Sequence, residues 1–130
     1  MKKKNYKISI LITNFNKFKF IKKTILSAMN QKYKNYEIII FDDCSTDRSI
    51  KIIQEFKKFK KIKTIINKKK KFKSAALNQI NGVLQGFKKS KGDIICLLDG
   101  DDYFHPKKLI KINKYFLNNK SVKSVFNFPK

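Results

Sequence analysis

Acidic residues are scarce in this chain. Nine Asp and Glu stand against 32 Lys and Arg in 130 residues, a formal charge of +23 at pH 7. Glycine numbers four, proline two and histidine one, and tryptophan is missing. Neither a Walker loop nor a GxGxxG pattern occurs, so phosphate cradling by a glycine-rich loop has no support. The single histidine, His105, reads as a cap or surface residue beside Asp101 and Asp102. No Ser/His/Asp set has a meaningful spacing, which argues against covalent acyl transfer. Cys44 and Cys96 form neither a disulfide framework nor a paired metal-ligand spacing, and this fits a reducing compartment. No apolar run approaches the ~18 residues that span a bilayer, and residues 8–13 are too short for a signal-peptide core. The expectation is a soluble, cytoplasmic chain.

The positive charge is itself one-sided. Arg48 is the only arginine, and Lys, Asn, Ile and Phe are over-used together. That joint enrichment matches the drift an AT-rich genome imposes on tolerant surface positions. Nucleic-acid readers favour the planar fork of arginine, so dedicated nucleic-acid binding is not expected. A charge-driven nucleic-acid binder stays as a rival that steep salt dependence would reveal. Peripheral attraction to the anionic inner face of a membrane is a side effect the lysines would produce.

What acid there is stands in two groups. Six of the nine acidic residues are Asp42, Asp43, Asp47, Asp99, Asp101 and Asp102. Each group follows an apolar run, Ile38-Ile39-Ile40-Phe41 and Ile94-Ile95-Cys96-Leu97-Leu98. The second run reads as a strand buried on both faces that ends in a polar site. Carboxylates grouped at the carboxyl ends of parallel strands occupy the edge where such sheets bind ligands. They raise one another's pKa unless a cation compensates, and a hard divalent metal carrying phosphate oxygens is the natural one.

Length and hydrophobic content (42%) suit one globular domain over residues 1–130. Strands are expected at 8–12, 37–41, 63–66 and 94–98, and a short terminal one at 122–128. Helical spacing joins Phe18, Ile21, Ile25, Ala28 and Met29, then Ile52, Phe56 and Phe59. It also joins Leu77, Ile80, Val83, Leu84 and Phe87 behind a Ser74 cap, and Leu109, Ile110, Asn113 and Phe116 behind Pro106 at N1. Ser45, Thr46 and Asp47 are cap and first-turn candidates for the second helix, and Asp42 reads as a backbone acceptor rather than a ligand contact. Strands alternating with helices predict an α/β fold, a parallel sheet with helices on both faces. The lysines at 68–71 read as a solvated loop at the strand-end edge.

Four segments in this order resemble the family 2 glycosyltransferases, whose fold is the Rossmann-like GT-A fold. They are Ile8 to Asn16, Ile38 to Asp47 with its Asp-Asp-x-Ser-x-Asp ending, Lys73-Ser74-Ala75-Ala76-Leu77-Asn78, and Gly92-Asp93 through the DxD stretch Asp99-Gly100-Asp101-Asp102. The resemblance covers about residues 8–116. It implies binding of a nucleotide-diphospho-sugar, a UDP-sugar being favoured, for transfer to a glycan or lipid-linked acceptor. Thr13 and Phe15 would lie against the base, and Asp43 would accept a hydrogen bond from its ring N–H. Asp99, Asp101 and Asp102 would hold the ribose and a Mg²⁺ or Mn²⁺, with Asp101 and Asp102 as metal ligands. The metal would stabilise the leaving nucleoside diphosphate as a Lewis acid. Lys73 would stand near the diphosphate, and Asn78 would support its loop.

The family's catalytic base comes from a later segment, and here no carboxylate follows Asp102. The expectation is therefore a donor-binding domain truncated after the DxD region, without its acceptor half. The alternative is a non-catalytic nucleotide-sugar-binding fragment, or half of a split enzyme completed by a second chain. A response-regulator receiver domain also groups Asp around Mg²⁺, but it needs acids after the first strand, where Thr13-Asn14 stand instead.

Overall fold

The computed structural model describes residues 5–125. In chain order the elements are β1 (Ile8–Asn14), α1 (Ile21–Met29), β2 (Tyr36–Asp43), α2 (Ser49–Glu55), β3 (Ile62–Asn67), α3 (Ala75–Lys89), β4 (Ile94–Asp99) and α4 (Lys108–Asn118). The four strands form one sheet in the order β3-β2-β1-β4. Every pairing is parallel, with Ile10 opposite both Ile38 and Cys96. The chain thus builds outward from β1 to β3, then returns to the other side of β1. That reversal opens a crevice at the carboxyl ends of β1 and β4, where ligands of such sheets bind.

Strand alternation sends Ile8, Ile10, Ile12, Ile38, Ile40 and Leu98 to one face, where they meet Ile21 and Ile25 of α1, Ile53 of α2 and Leu109 of α4. This is the main core. Each fully buried isoleucine in it contributes about 1.5–3 kcal/mol relative to exposure.

Among the described residues the opposite face carries α3 alone, and here the helical periodicity misleads. The predicted apolar stripe points away from the sheet: Leu77, Ile80, Leu84 and Phe87 are between 47% and 57% exposed. Asn78, Asn81, Gly82 and Gly86 are the buried positions. The reason is steric, since Phe41 and Leu11 already fill the sheet surface beneath the helix. A Cβ on Gly82 would lie 2.7 Å from Phe41 Cδ1, so only a residue without one lets the helix sit this close.

β4 also departs from expectation. Among the described residues it is an edge strand whose α3-side face is uncovered, and Leu97 is 56% exposed, so the strand is buried on one face rather than both. α2 ends at Glu55, short of Phe59, and Pro106 lies two residues before the first helical residue of α4. Residues 122–125 form no strand, and the rest of the expected terminal strand falls outside the described residues. Among the described residues no helix is long and apolar enough to cross a membrane.

Candidate nucleotide-sugar and metal site

The turn after β1 is locked to the end of β2 by short polar side chains. Asn14 Nδ2 donates to Asp42 Oδ2 at 2.9 Å, and the Ser45 hydroxyl donates to the same oxygen at 2.7 Å. Asp42 Oδ1 accepts the Ser45 N–H at 2.9 Å, so this fully buried carboxylate serves the frame, as the sequence reading expected. Asn16 takes the left-handed conformation (φ 51°) that asparagine tolerates, and its Oδ1 accepts the Thr46 N–H at 2.8 Å. Ser45 and Thr46 are therefore committed to this cross-link and do not cap α2. Asp47 accepts from the N–H of Ser49 at 2.8 Å and of Phe18 at 3.1 Å.

Above this frame lies a cavity of about 300 Å³ lined by Thr13, Asn14, Phe15, Lys17, Phe41, Asp43, Lys70, Ala75, Asn78, Gln79, Asp99, Gly100 and Asp101. It joins three strand ends to the first turn of α3. Ser74 caps that helix, its hydroxyl accepting from Leu77 N–H at 3.4 Å, and no acid stands in the first turn. The positive end of the helix dipole thus lies at the cavity, whose lining includes Ala75 and Asn78 of the first turn, an arrangement that suits phosphate. Asn78 clasps the preceding loop in both directions: its Oδ1 accepts from Phe72 N–H at 2.9 Å and its Nδ2 donates to Phe72 O at 2.8 Å.

The turn after β4 is equally fixed. Gly100 N–H donates to Thr13 O at 2.9 Å, Thr24 Oγ1 to Gly100 O at 2.9 Å, and Asp102 N–H to Asp99 O at 3.0 Å. A Cβ on Gly100 would lie 2.6 Å from Asn14 Oδ1, so the loop passes too close to β1 for a side chain there. This turn gathers one carboxylate oxygen each from Asp99, Asp101 and Asp102 within 4.8 Å of one another. Burial raises the pKa of Asp99 above the ordinary carboxylate range, and the charges of Asp102 and Asp101 add to it; the Gln79 hydrogen bond and Lys17 oppose. Three hard oxygen donors whose negative charges disfavour one another fit a divalent cation.

The structure therefore brings Thr13, Phe15, Asp43, Asp99 and Asp101 to one cavity, with Asp102 beside it in the carboxylate group. Lys73 is exposed and absent from the lining. The lysines of the cavity are Lys17, paired with Asp101 at 2.9 Å, and Lys70, whose Nζ sits 3.1 Å from the Phe15 ring centroid. Lys70 belongs to the run at 68–71, whose place at the strand-end edge was the one available signal. Nothing in a lysine-rich sequence distinguishes Lys17. Gln79, which donates to Asp99 Oδ1 at 2.8 Å, and Asn67, which donates to Asp43, also escaped the sequence reading.

A parallel sheet with a carboxylate-lined crevice at its strand ends beside a helix N-terminus defines an α/β protein of the class that binds ligands at that edge. Comparison with known proteins narrows that class: the model of glycosyl transferase family 2 matches residues 9–129, and the chain belongs to this family. It is 36% identical over 122 residues to an uncharacterized glycosyltransferase of Haemophilus influenzae, covering 93% of this chain and 46% of that protein. It is 37% identical over 101 residues to a dolichyl N-acetyl-alpha-D-glucosaminyl phosphate 3-beta-D-2,3-diacetamido-2,3-dideoxy-beta-D-glucuronosyltransferase of Methanococcus voltae, covering 74% of this chain and 29% of that one. The chain thus spans less than half the length of these curated relatives. Among solved structures, residues 1–349 of Staphylococcus aureus TarS in complex with UDP-GlcNAc have a TM-score of 0.73 at 20% identity, over 88% of this chain and 32% of that one. The mannosyltransferase PcManGT of Pyrobaculum calidifontis, in complex with GDP-Man and Mn²⁺, has 0.67 at 16%, over 89% and 33%. The sheet and its helices have the GT-A fold.

Proposed function

We propose that the chain is the donor-binding part of a metal-dependent glycosyltransferase that takes a UDP-sugar. The observation that carries this reading is the single cavity in which Asp43, the Asp99–Asp101 turn and the N-terminus of α3 converge. In it Thr13 and Phe15 flank the base, Asp43 accepts from the ring N–H, and Asp99 contacts the ribose. Asp101 and Asp102 hold Mg²⁺ or Mn²⁺, which supplies Lewis-acid stabilisation of the departing diphosphate. Lys17 and Lys70 are better situated than Lys73 to neutralise the phosphates, because they line the cavity. Asn78 keeps the helix start in position for the same phosphates.

The glycan or lipid-linked acceptor and the catalytic base belong to further polypeptide, of the kind that makes up more than half of the relatives. Leu84 and Phe87 on the outward stripe of α3 and Leu97 at the open edge of β4 stand exposed. The chain itself carries a formal charge of +23, nearly all of it on lysines. The same lysines attract the protein to anionic membrane surfaces, and cosedimentation with phosphatidylserine vesicles tests that directly.

Calorimetric titration with UDP and UDP-sugars, in Mn²⁺ and then in EDTA at moderate salt, tests the donor site. Metal-dependent binding is expected, and it disappears in a folded Asp101→Ala variant. Unchanged metal-dependent affinity in that variant removes Asp101 from its role. No binding under either condition overturns the reading and advances the nucleic-acid alternative, with its steep salt dependence.

A further inference from the structure

Four large apolar side chains of α3 belong to neither the core nor a cavity. Leu77, Ile80, Leu84 and Phe87 are half-exposed, and none of them lines the donor cavity or the adjoining one of about 500 Å³. Their spacing puts them on one side of the helix, in a continuous stripe about 15 Å long. The charge around this stripe has one sign. Neither α3 nor the segments that lead into and out of it, from Phe56 to Gly92, contain an acidic residue. Exposed lysines stand at both ends, the run at 68–71 with Lys73 before the first turn and Lys88, Lys89 and Lys91 at the last.

We propose that this stripe is the face by which the protein lies on an anionic lipid bilayer, with α3 parallel to the membrane plane. This rests on the reading of a donor-binding domain that its lysines draw to membrane surfaces. The lysines alone attract without choosing a face, since their field reaches over roughly 8 Å at physiological salt and basic residues stand all over the chain. The stripe supplies the direction. Apolar side chains flanked by lysines gain desolvation and attraction together at the boundary between headgroups and acyl chains. The flexible lysine stems let the ammonium groups stay among the headgroups while Leu84 and Phe87 sink past them. A second copy of the chain is a poorer occupant, because it brings the same lysines to the same face. Docking through the stripe also leaves the donor site open: Ala75, Asn78 and Gln79 line that cavity, and they lie off the stripe on the same helix. The cavity is then held near the membrane surface, where a lipid-linked acceptor presents its headgroup.

The chain has no tryptophan, so a single one introduced by substitution reports its own surroundings. Phe87→Trp places it in the stripe, and Tyr115→Trp places it on the exposed side of α4, across the sheet. Both are titrated with vesicles of phosphatidylcholine and phosphatidylserine at physiological salt, after circular dichroism melting has shown them folded. The Phe87→Trp emission is expected to shift to the blue and to be quenched by brominated acyl chains, while that of Tyr115→Trp stays as in buffer. Leu84→Gln should lower the affinity for these vesicles about five- to tenfold, the equivalent of half burying one leucine. Binding with no shift at Phe87→Trp, with equal shifts at both tryptophans, or undiminished by Leu84→Gln, overturns the stripe as the docking face and leaves the lysine attraction standing. No binding to these vesicles overturns both. A Phe87→Trp emission already blue in buffer, with a dimer in sedimentation, gives the stripe to a second copy and overturns the proposal. UDP titration in Mn²⁺ reports on the donor reading separately: the variants should match the native chain, and a native chain that binds no UDP fails that reading whatever the vesicles show.

Discussion

Lys17 Nζ lies 2.9 Å from Asp101 Oδ2, inside the group of carboxylates that fits a divalent cation. Both side chains are partly exposed, so the pair is worth at most about 1 kcal/mol. The lysine nonetheless pairs with a carboxylate that would hold the metal. Removing it should therefore ease metal entry while taking a positive charge from the phosphate region. For Lys17→Ala the expected outcome is a two- to fivefold rise in affinity for Mn²⁺ alone, the exponential equivalent of about 0.5–1 kcal/mol. UDP affinity at saturating Mn²⁺ should fall. Metal-only titration followed by UDP titration checks the two halves separately, and a metal affinity that stays level or drops defeats the idea of competition.

The same group gives a pH dependence with a definite sign. Burial first, then the charges of Asp102 and Asp101, hold the pKa of Asp99 above its ordinary value. The folded chain without metal therefore keeps this proton more tightly than the unfolded chain does. The resulting stability is present below the unfolded pKa and is lost as pH rises through the folded one. A bound cation favours the ionised form and removes that loss. The rise in melting temperature produced by Mn²⁺ should thus be full near neutral pH and shrink as pH falls through the raised pKa of Asp99. Melting curves with and without Mn²⁺, from about pH 4 to 7, test this. A metal-induced gain independent of pH would show that the charge of Asp99 is not coupled to the cation held by Asp101 and Asp102.

Glu37 behaves in the opposite sense, at the far end of the strands. It is buried, and it accepts from the Ser9 hydroxyl at 2.7 Å, the Lys91 N–H at 2.5 Å and Lys63 Nζ at 3.2 Å. Burial by itself would raise its pKa, but the Ser9, Lys91 and Lys63 contacts outweigh it and hold the pKa below the usual glutamate value. Its contribution is present above the unfolded pKa and fades as pH falls through the lowered folded one. Glu37→Gln should cost about 1–3 kcal/mol at neutral pH and flatten the acid limb of the stability curve. UDP affinity should be unchanged, since Glu37 lies away from the cavity. Denaturant melts of the variant at neutral and acidic pH measure both effects.

How much of this was legible in the chain depended on which signal each element carried. The strands were readable because unbroken isoleucine runs have few other uses, and the carboxylates stood out because the chain has so few acids. The seating of α3 was not readable, because periodicity reports that a helix has an apolar face and not which layer that face meets. Gly82 and Gly86 were the better clue: glycine is costly inside a helix, and its presence there points to close backbone approach. The exposed face of β4 was hidden for a related reason, since an apolar run does not reveal that a strand stands at the edge of its sheet. Among the residues the structure brings to the cavity and its carboxylate group, Asp43 and the Asp99–Asp102 turn stood out in the sequence by charge contrast. Lys17, Lys70 and Asn67 belong to the commonest residue types of this chain, so only three-dimensional proximity to Asp101, Phe15 and Asp43 singles them out.

The two helix glycines offer a paired test of that seating. Glycine to alanine in a helix interior normally stabilises by about 0.5–1 kcal/mol. At Gly86 the added Cβ would meet Leu11 Cδ2 at 3.4 Å, ordinary contact, so Gly86→Ala should keep that gain and raise the melting temperature by a few degrees. At Gly82 it would lie 2.7 Å from Phe41 Cδ1 and 3.2 Å from Thr13 Cγ2. Phe41 is buried and the clash is with its ring at Cδ1, so the ring or α3 must shift at an overpacking cost of about 1–3 kcal/mol. Gly82→Ala should therefore be net destabilising despite its better helix propensity. Because Thr13 and Phe41 also line the cavity, it should weaken UDP binding as well, which Gly86→Ala should not. Equal effects of the two substitutions on melting temperature would mean that α3 does not rest on the sheet through Gly82.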